Sequence, residues 1–411
     1  MNYRHIVSLS SFTLLGGIVG YFFHPLMLRL LSDAEFVELE FIMSMMGIVG
    51  TLFGGIGLFV NKELAYIGDN QTQQYTFVSV CIKTYLRLIP WITIILACIG
   101  GIVRYYFQTS SYALIMYNMT LIIIGGISAV IDGTCKARHA YTLVNFNGIM
   151  GHVLKILIGG GLAYIGAGVW GATSGLVIGG VLLFAINIRI IYGRYRGCTY
   201  DNISAQKFVK DFSRIRGDIV ANTGLVLILS IMLNMDIMIA SKILSKDQAA
   251  TYSALSVIAK FIFFVCGSIE IVSYTYLVNK YHHNRKYYVQ PLKRYVLALV
   301  GGMMGILVVG KRVLEMFKPG LSLHTGNFVA LFIYYLSLAI ISLYSKLLLG
   351  YGYKSIIGVL AIVSITMIVG LETVAHDIRE ITSILLCGGL CLGLIIGGRF
   401  AIHGYRNRNT S

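Results

Sequence analysis

The sequence predicts an all-α integral membrane fold of twelve transmembrane helices. Three observations lead there. Of 411 residues, 57% are hydrophobic and only 12% charged, with a mean hydropathy of +0.78, which excludes a soluble globular domain and a disordered chain alike. The apolar residues run in long stretches, with only four prolines, rather than in short alternating segments between turns. In lipid each backbone polar group must be satisfied internally, so such stretches read as helices and not as barrel strands. Finally, stretches of about 20 residues, the length that crosses the hydrocarbon, recur twelve times.

The first, residues 7–31, follows Arg4; it is too long for a cleaved signal segment and lacks a small-x-small site. Stretches at 34–61, 76–103, 111–131, 141–164 and 169–192 complete a bundle of six within 1–192. The polar interval 193–216 contains "SAQKFVKDFSRIRG", with Lys207, Lys210 and Arg214 on one helical face and Phe208, Phe212 and Ile215 on another. That pattern predicts an amphipathic linker helix lying on the cytoplasmic surface. The second bundle, 217–403, carries stretches at 217–243, 248–279, 293–314, 326–348, 354–371 and 380–402, and a short cytoplasmic tail, 404–411, ends the chain.

Lysine and arginine set the orientation. Loops on one side carry 21 of them, those on the other side eight, if both termini face the cytoplasm. The formal net charge of +16 is then a matter of basic loops against an anionic leaflet, with no call for nucleic acid. The seven cysteines make no metal-binding spacing and read as core filling. Glycine runs such as "GGIG" at 54–57 and "GGG" at 159–161 lack any phosphate-loop context and suit close helix packing. Pro25 and Pro90 sit where a kink is tolerated.

The two halves look related. "RLLSDAEF" from Arg29 and "KILSKDQA" from Lys242 each end a helix on a cation, pass through Leu-Ser into an acidic or amide-bearing turn, and start a long helix. A parallel repeat, giving two pseudo-symmetric six-helix bundles with a site between them, is the implied architecture.

Three passages, "PLMLRLLSDAEFVELE" with "GIGLFVNKELA", "MGHVLKILIGGGLAYIGAGVWGATSGLVIGG" and "NMDIMIASKILSKDQAATYSALSVIAK", resemble the polysaccharide or O-antigen (oligosaccharidyl-lipid) flippases of the multidrug/oligosaccharidyl-lipid/polysaccharide exporter superfamily. The chain departs from that pattern at Ala250-Thr251, where the family often has Gly before the Tyr, and at Leu277-Val278, where it often has Pro. The resemblance implies two bundles around a central cavity that opens alternately inward and outward. It also implies the bacterial inner membrane, an undecaprenyl-diphosphate-linked oligosaccharide as substrate, membrane lipids, and polymerase and chain-length regulator proteins as partners.

Charges inside apolar stretches need a cavity or a counter-charge, since one at mid-bilayer costs about 2.5 to 3.5 kcal/mol on insertion scales. Lys155 and Lys260 are deepest. Tyr252, Ser256 and Lys260 are spaced i, i+4, i+8, and Asn145, His152 and Lys155 fall within a quarter turn of one another, so each lysine ends a polar stripe. One reading lines a wet cationic cavity with these stripes, to receive a diphosphate and its sugars. The other pairs a lysine with a carboxylate such as Asp236 or Glu270 in the bundle interior. Arg29 and Lys242, at outer helix ends, fit either gating or snorkelling. Asp236, Glu38, Glu40 and Glu270 are candidates for coupling transport to H⁺ or Na⁺, with no other cofactor or metal expected. Glu38 and Glu40, two residues apart, cannot both face one lumen.

The function expected is lipid-linked oligosaccharide translocation, not catalysis. A drug or cation exporter of the same superfamily is the alternative, although it would want deep acids and few lysines. A membrane glycosyltransferase or polymerase would need an Asp-x-Asp motif or a large outer loop; no Asp-x-Asp occurs, and the longest outer loop is about 311–325.

Overall fold

The computed structural model describes residues 3–138, 140–280, 325–350 and 353–409. The side chains of 1–14, 58, 65, 141–142, 203–207, 209–216, 218–219, 264–280, 350 and 400–409 lie outside the description. All regular structure among the described residues is helical: α1 Tyr3–Leu30, α2 Asp33–Ile67, α3 Gln71–Phe107, α4 Tyr112–Ala137, α5 Tyr141–Leu154, α6 Gly168–Arg194, α7 Asn202–Ile243, α8 Lys246–Lys280, α9 Thr325–Gly350, α10 Ser355–Val374 and α11 Ile378–Asn409. Eleven of the twelve predicted stretches fall on these helices, and the ninth, 293–314, lies outside the described residues. Eight helices are long and apolar enough to cross a membrane among the described residues. The chain is an all-α, multi-pass membrane protein.

Local chemistry explains the two related turns. In the first, the Ser32 backbone N–H and hydroxyl donate to Glu35 Oε2 (3.0 and 2.7 Å), and the Glu35 N–H donates back to Ser32 Oγ (3.4 Å). In the second, the Gln248 N–H donates to Ser245 Oγ (3.4 Å) and the Ser245 hydroxyl to Gln248 Oε1 (3.2 Å). Each is a Ser-x-x-Glu/Gln capping arrangement that satisfies the orphan N–H groups at a helix start. The preceding helices close alike, Leu31 N–H to Met27 O (2.9 Å) and Leu244 N–H to Ala240 O (3.0 Å).

Between α5 and α6 the helix loosens. Two π-turns, Lys155–Gly159 and Ala163–Ala167, flank the short helix Gly160–Leu162, and the chain turns into α6 through Gly166 (φ 91°) and Gly168 (φ 55°). Only glycine takes such angles without a Cβ penalty. The linker differs from expectation. Its helical part joins the next span without a break, as the 42-residue α7, where the sequence suggested a separate helix on the surface. Apolar periodicity cannot show whether an interfacial helix stops before the span it precedes.

By contact the chain forms two compact units, Met1–Glu40 with Ile228–Ser411, and Phe41–Leu227. These bounds differ from the division into 1–192 and 217–403 expected from the sequence, which was drawn from the repeat and not from contacts. In the first unit α1 packs on α8, and α9 packs on both α8 and α11. In the second, α4 packs on α3 and α6, over a core that includes Val60, Leu64, Phe77, Ile127 and Val130. Tyr85 of α3 lies where a Cβ on Gly126 would stand, 2.1 Å from its ring, and its hydroxyl donates to the carbonyls of Ile122 and Ile123 (3.2 and 3.0 Å). Of the cysteines, Cys135 is buried, whereas Cys98, Cys387 and Cys391 are exposed on their helices rather than filling the core.

Candidate functional site

Asp236 lies two turns before the end of α7 and is 1% exposed. Both its oxygens are occupied. Lys260 Nζ of α8 donates to Oδ1 (3.1 Å). Oδ2 receives the hydroxyls of Tyr252 (3.0 Å), Ser256 (2.7 Å) and Tyr335 of α9 (2.5 Å). Ser256 and Tyr335 also meet at 2.6 Å, and the Lys260 ammonium stands 5.5 Å from the Tyr335 ring centroid. Next to it, the Tyr334 hydroxyl donates to Met232 O (2.7 Å), fastening α9 to α7. Tyr252, Ser256, Tyr335 and Lys260 are all buried.

The i, i+4, i+8 stripe on α8 is therefore real, since all three members reach one carboxylate. Of the two readings that the sequence left open for Lys260, the contact made here is the pair with a carboxylate: Lys260 neutralises Asp236 in the bundle interior, where an unpaired charge of either sign would cost several kcal/mol. Lys242 is likewise paired, with Glu372 of α10 at 2.8 Å, and so does more than snorkel. Asp236 is held by its partners on two other helices, α8 and α9.

A second buried acid is Glu40, one of the two neighbouring acids that the sequence set against each other; its partner His24 was not foreseen. Glu40, 1% exposed, meets His24 Nδ1 of α1 at 2.5 Å, and the Tyr21 ring lies 6.3 Å from that of His24. A signal existed. His24 and Glu40 bridge the first hairpin at the same 16-residue separation at which Asp236 and Tyr252 bridge the second. Glu38 is half-buried, in keeping with its position opposite Glu40. Arg29 is exposed at the end of α1, and the side chain of Glu270 lies outside the described residues.

The other stripe lies in the second unit. Lys155, 6% exposed, opens the first π-turn after α5, with Asn145 and His152 half-buried on the preceding turns. π-turns inside α-helices recur at functional positions. A Cβ on Gly175 of α6 would stand 2.6 Å from the Lys155 carbonyl, so the two backbones meet here. Asn147 and Asn187 cross-link α5 and α6 at 2.6 Å.

No family model matches the chain, and no curated protein matches it. Among solved structures the chain resembles an inward-facing multidrug resistance MATE family transporter of the MOP superfamily, with TM-score 0.73, 13% identity, and coverage of 99% of this chain and 96% of that one. It resembles the lipid II flippase MurJ in an inward closed conformation with TM-score 0.73, 15% identity, and coverage of 97% and 87%. A MOP superfamily transporter from Pyrococcus furiosus, described as having reversed pocket polarity, gives 0.66 at 13% identity over 98% and 96%. The chain shares the fold of these solved structures. At these identities the likeness is one of fold, and the substrate has to be argued from residues.

Proposed function

We propose that this chain is a flippase that moves undecaprenyl-diphosphate-linked oligosaccharide repeat units from the cytoplasmic to the outer leaflet of the inner membrane, by alternating access, for O-antigen or another surface polysaccharide. The observation that carries the reading is Lys155, a cation buried in a π-turn at the end of a polar stripe with Asn145 and His152. An ammonium there offers point charge and rotatable donors to a diphosphate whose attached sugars vary. Arg29, exposed at the outer end of α1, is the cation placed to meet the phosphates as they leave. Tyr252, Ser256 and Lys260 act by holding Asp236.

Asp236 also suits proton coupling. The three contacts among Asp236 Oδ2, Ser256 Oγ and Tyr335 Oη have two hydroxyl protons between them, so a proton taken by Asp236 would complete the ring. The drug-exporter alternative draws support from the buried acids, but Asp236 and Glu40 each already face a basic side chain. That leaves neither as an open receptor for a cationic drug.

The test is Lys155→Ala in cells that make the polymer. Surface polysaccharide should fall sharply at unchanged protein level, and undiminished polymer would overturn the assignment. Extrusion of a cationic dye by the wild-type chain, without loss of polymer when the gene is removed, would favour the exporter.

A further inference from the structure

The loops account for all but four of the 33 lysines and arginines, and the remainder stand within apolar stretches: Lys83, Arg87, Lys155 and Lys260. Lys83 and Arg87 belong to α3 and differ from the other two in being exposed. Their depth follows from helix geometry. Tyr105, 83% exposed, marks the outer end of α3 beside Arg104, as interfacial tyrosines do. At 1.5 Å per residue, Arg87 lies about 27 Å and Lys83 about 33 Å below it, which brackets the ~30 Å of hydrocarbon. On the orientation that the loop charges predict, the two cations stand at the inner phosphate level, one turn apart on one face.

The surface above them is built for acyl chains. Trp91, 66% exposed, follows one turn deeper, and then Ile94, Ile95 and Ile102, all exposed. Below them α3 leaves the membrane and is gripped by protein: the Asp201 N–H donates to Thr76 Oγ1 (3.0 Å), and Tyr75 packs on Tyr195. That grip brings Tyr200 to Lys83, whose ammonium lies 4.3 Å from the ring centroid, a cation–π contact that restrains the side chain. Arg87 makes no ion pair among the described residues.

We propose that Lys83 and Arg87 form a binding site for the phosphate of an inner-leaflet anionic phospholipid, whose chains lie along Trp91 and the isoleucines of α3. Two cations complement one phosphodiester, the arginine able to bind two of its oxygens at once. The site is independent of the transport reading and would anchor α3 at a fixed depth.

The experiment is native mass spectrometry of the full-length chain titrated with phosphatidylglycerol or phosphatidylcholine, comparing wild type, Lys83→Gln/Arg87→Gln, the charge-keeping Lys83→Arg/Arg87→Lys, and Lys354→Gln as control. Each cation near an anionic headgroup is worth about fivefold in affinity, so the neutral pair should bind phosphatidylglycerol about 30-fold more weakly. The charge-keeping pair and the control should bind as wild type. Equal affinity in the neutral pair would overturn the proposal, as would an equal loss in the Lys354 control, which would mean general leaflet charge. Retained phosphatidylglycerol with lost polymer export would overturn it too, in favour of the lipid-linked diphosphate as occupant.

Discussion

The Asp236–Lys260 pair makes the sharpest prediction, because its two readings diverge in sign. With Asp236→Asn the Lys260 ammonium stays 5% exposed and loses its counter-charge, which costs about 3 to 5 kcal/mol. With Lys260→Met the carboxylate keeps three hydroxyl donors. Hydrogen bonds to a charged group are worth about 1.5 to 3 kcal/mol each, so this variant should suffer less. The double variant removes both charges at similar volume and should lie within about 1 to 2 kcal/mol of wild type, as replaced buried pairs commonly do. The four proteins form a double-mutant cycle, read by unfolding in mixed detergent micelles, with polymer export measured alongside. A coupling of about 2 kcal/mol or more, with export recovering in the double variant, is expected. Coupling below about 0.5 kcal/mol, with Lys260→Met stable but unable to export, would refute the buried-pair reading in favour of a cationic cavity.

Gly133→Ala would place a Cβ 2.5 Å from the backbone carbonyl of Gly57, forcing α2 and α4 apart at about 1 to 3 kcal/mol; the same cycle of unfolding curves measures it. Gly161→Ala meets nothing within 4 Å and should be stabilising by about 0.5 to 1 kcal/mol. Ser32→Ala and Ser245→Ala should each cost about 1 kcal/mol through the lost cap, to a similar extent, if the two hairpins are true repeats. Removing Glu372 with Glu372→Gln should make a subsequent Lys242→Met nearly neutral, whereas Lys242→Met alone leaves a partly buried acid without its cation; comparing both melting temperatures checks the pair.

The membrane spans were legible because the bilayer imposes one length on every segment, whatever its side chains. Eleven stretches of that length could be set against helices, and each lies on one. The continuity of α7 was not legible: residues 202–219 carry an interfacial pattern that is compatible with a hinge or with a straight run. At the site, the stripe of Tyr252, Ser256 and Lys260 could be read from spacing within α8 and Asp236 stood among its possible counter-charges, but the fourth donor, Tyr335, is 99 residues from Asp236. No spacing rule spans that distance. His24 escaped because Glu40 was weighed only against its neighbour Glu38. The π-turn at Lys155 has no residue signature beyond the glycines that follow it.

The repeated hairpins carry a final consequence for where the substrate's charge is met. Their turns share the Ser-x-x-Glu/Gln cap, yet Lys242 is neutralised by Glu372, while Arg29, at the same place in the first hairpin, is exposed and makes no ion pair among the described residues. Stability alone gives little reason to keep Arg29, because an exposed arginine at a helix end contributes only a few tenths of a kcal/mol through the helix dipole. A role in meeting phosphates makes Arg29 matter to export and not to folding. Arg29→Gln should therefore unfold as wild type yet lower the polymer made per molecule of protein, Arg29→Lys should restore much of it, and the loss should shrink as salt screens the phosphates in vesicle assays. Equal export by Arg29→Gln and wild type would return this residue to the role of an interfacial anchor and leave Lys155 to carry the cationic side of the proposal by itself.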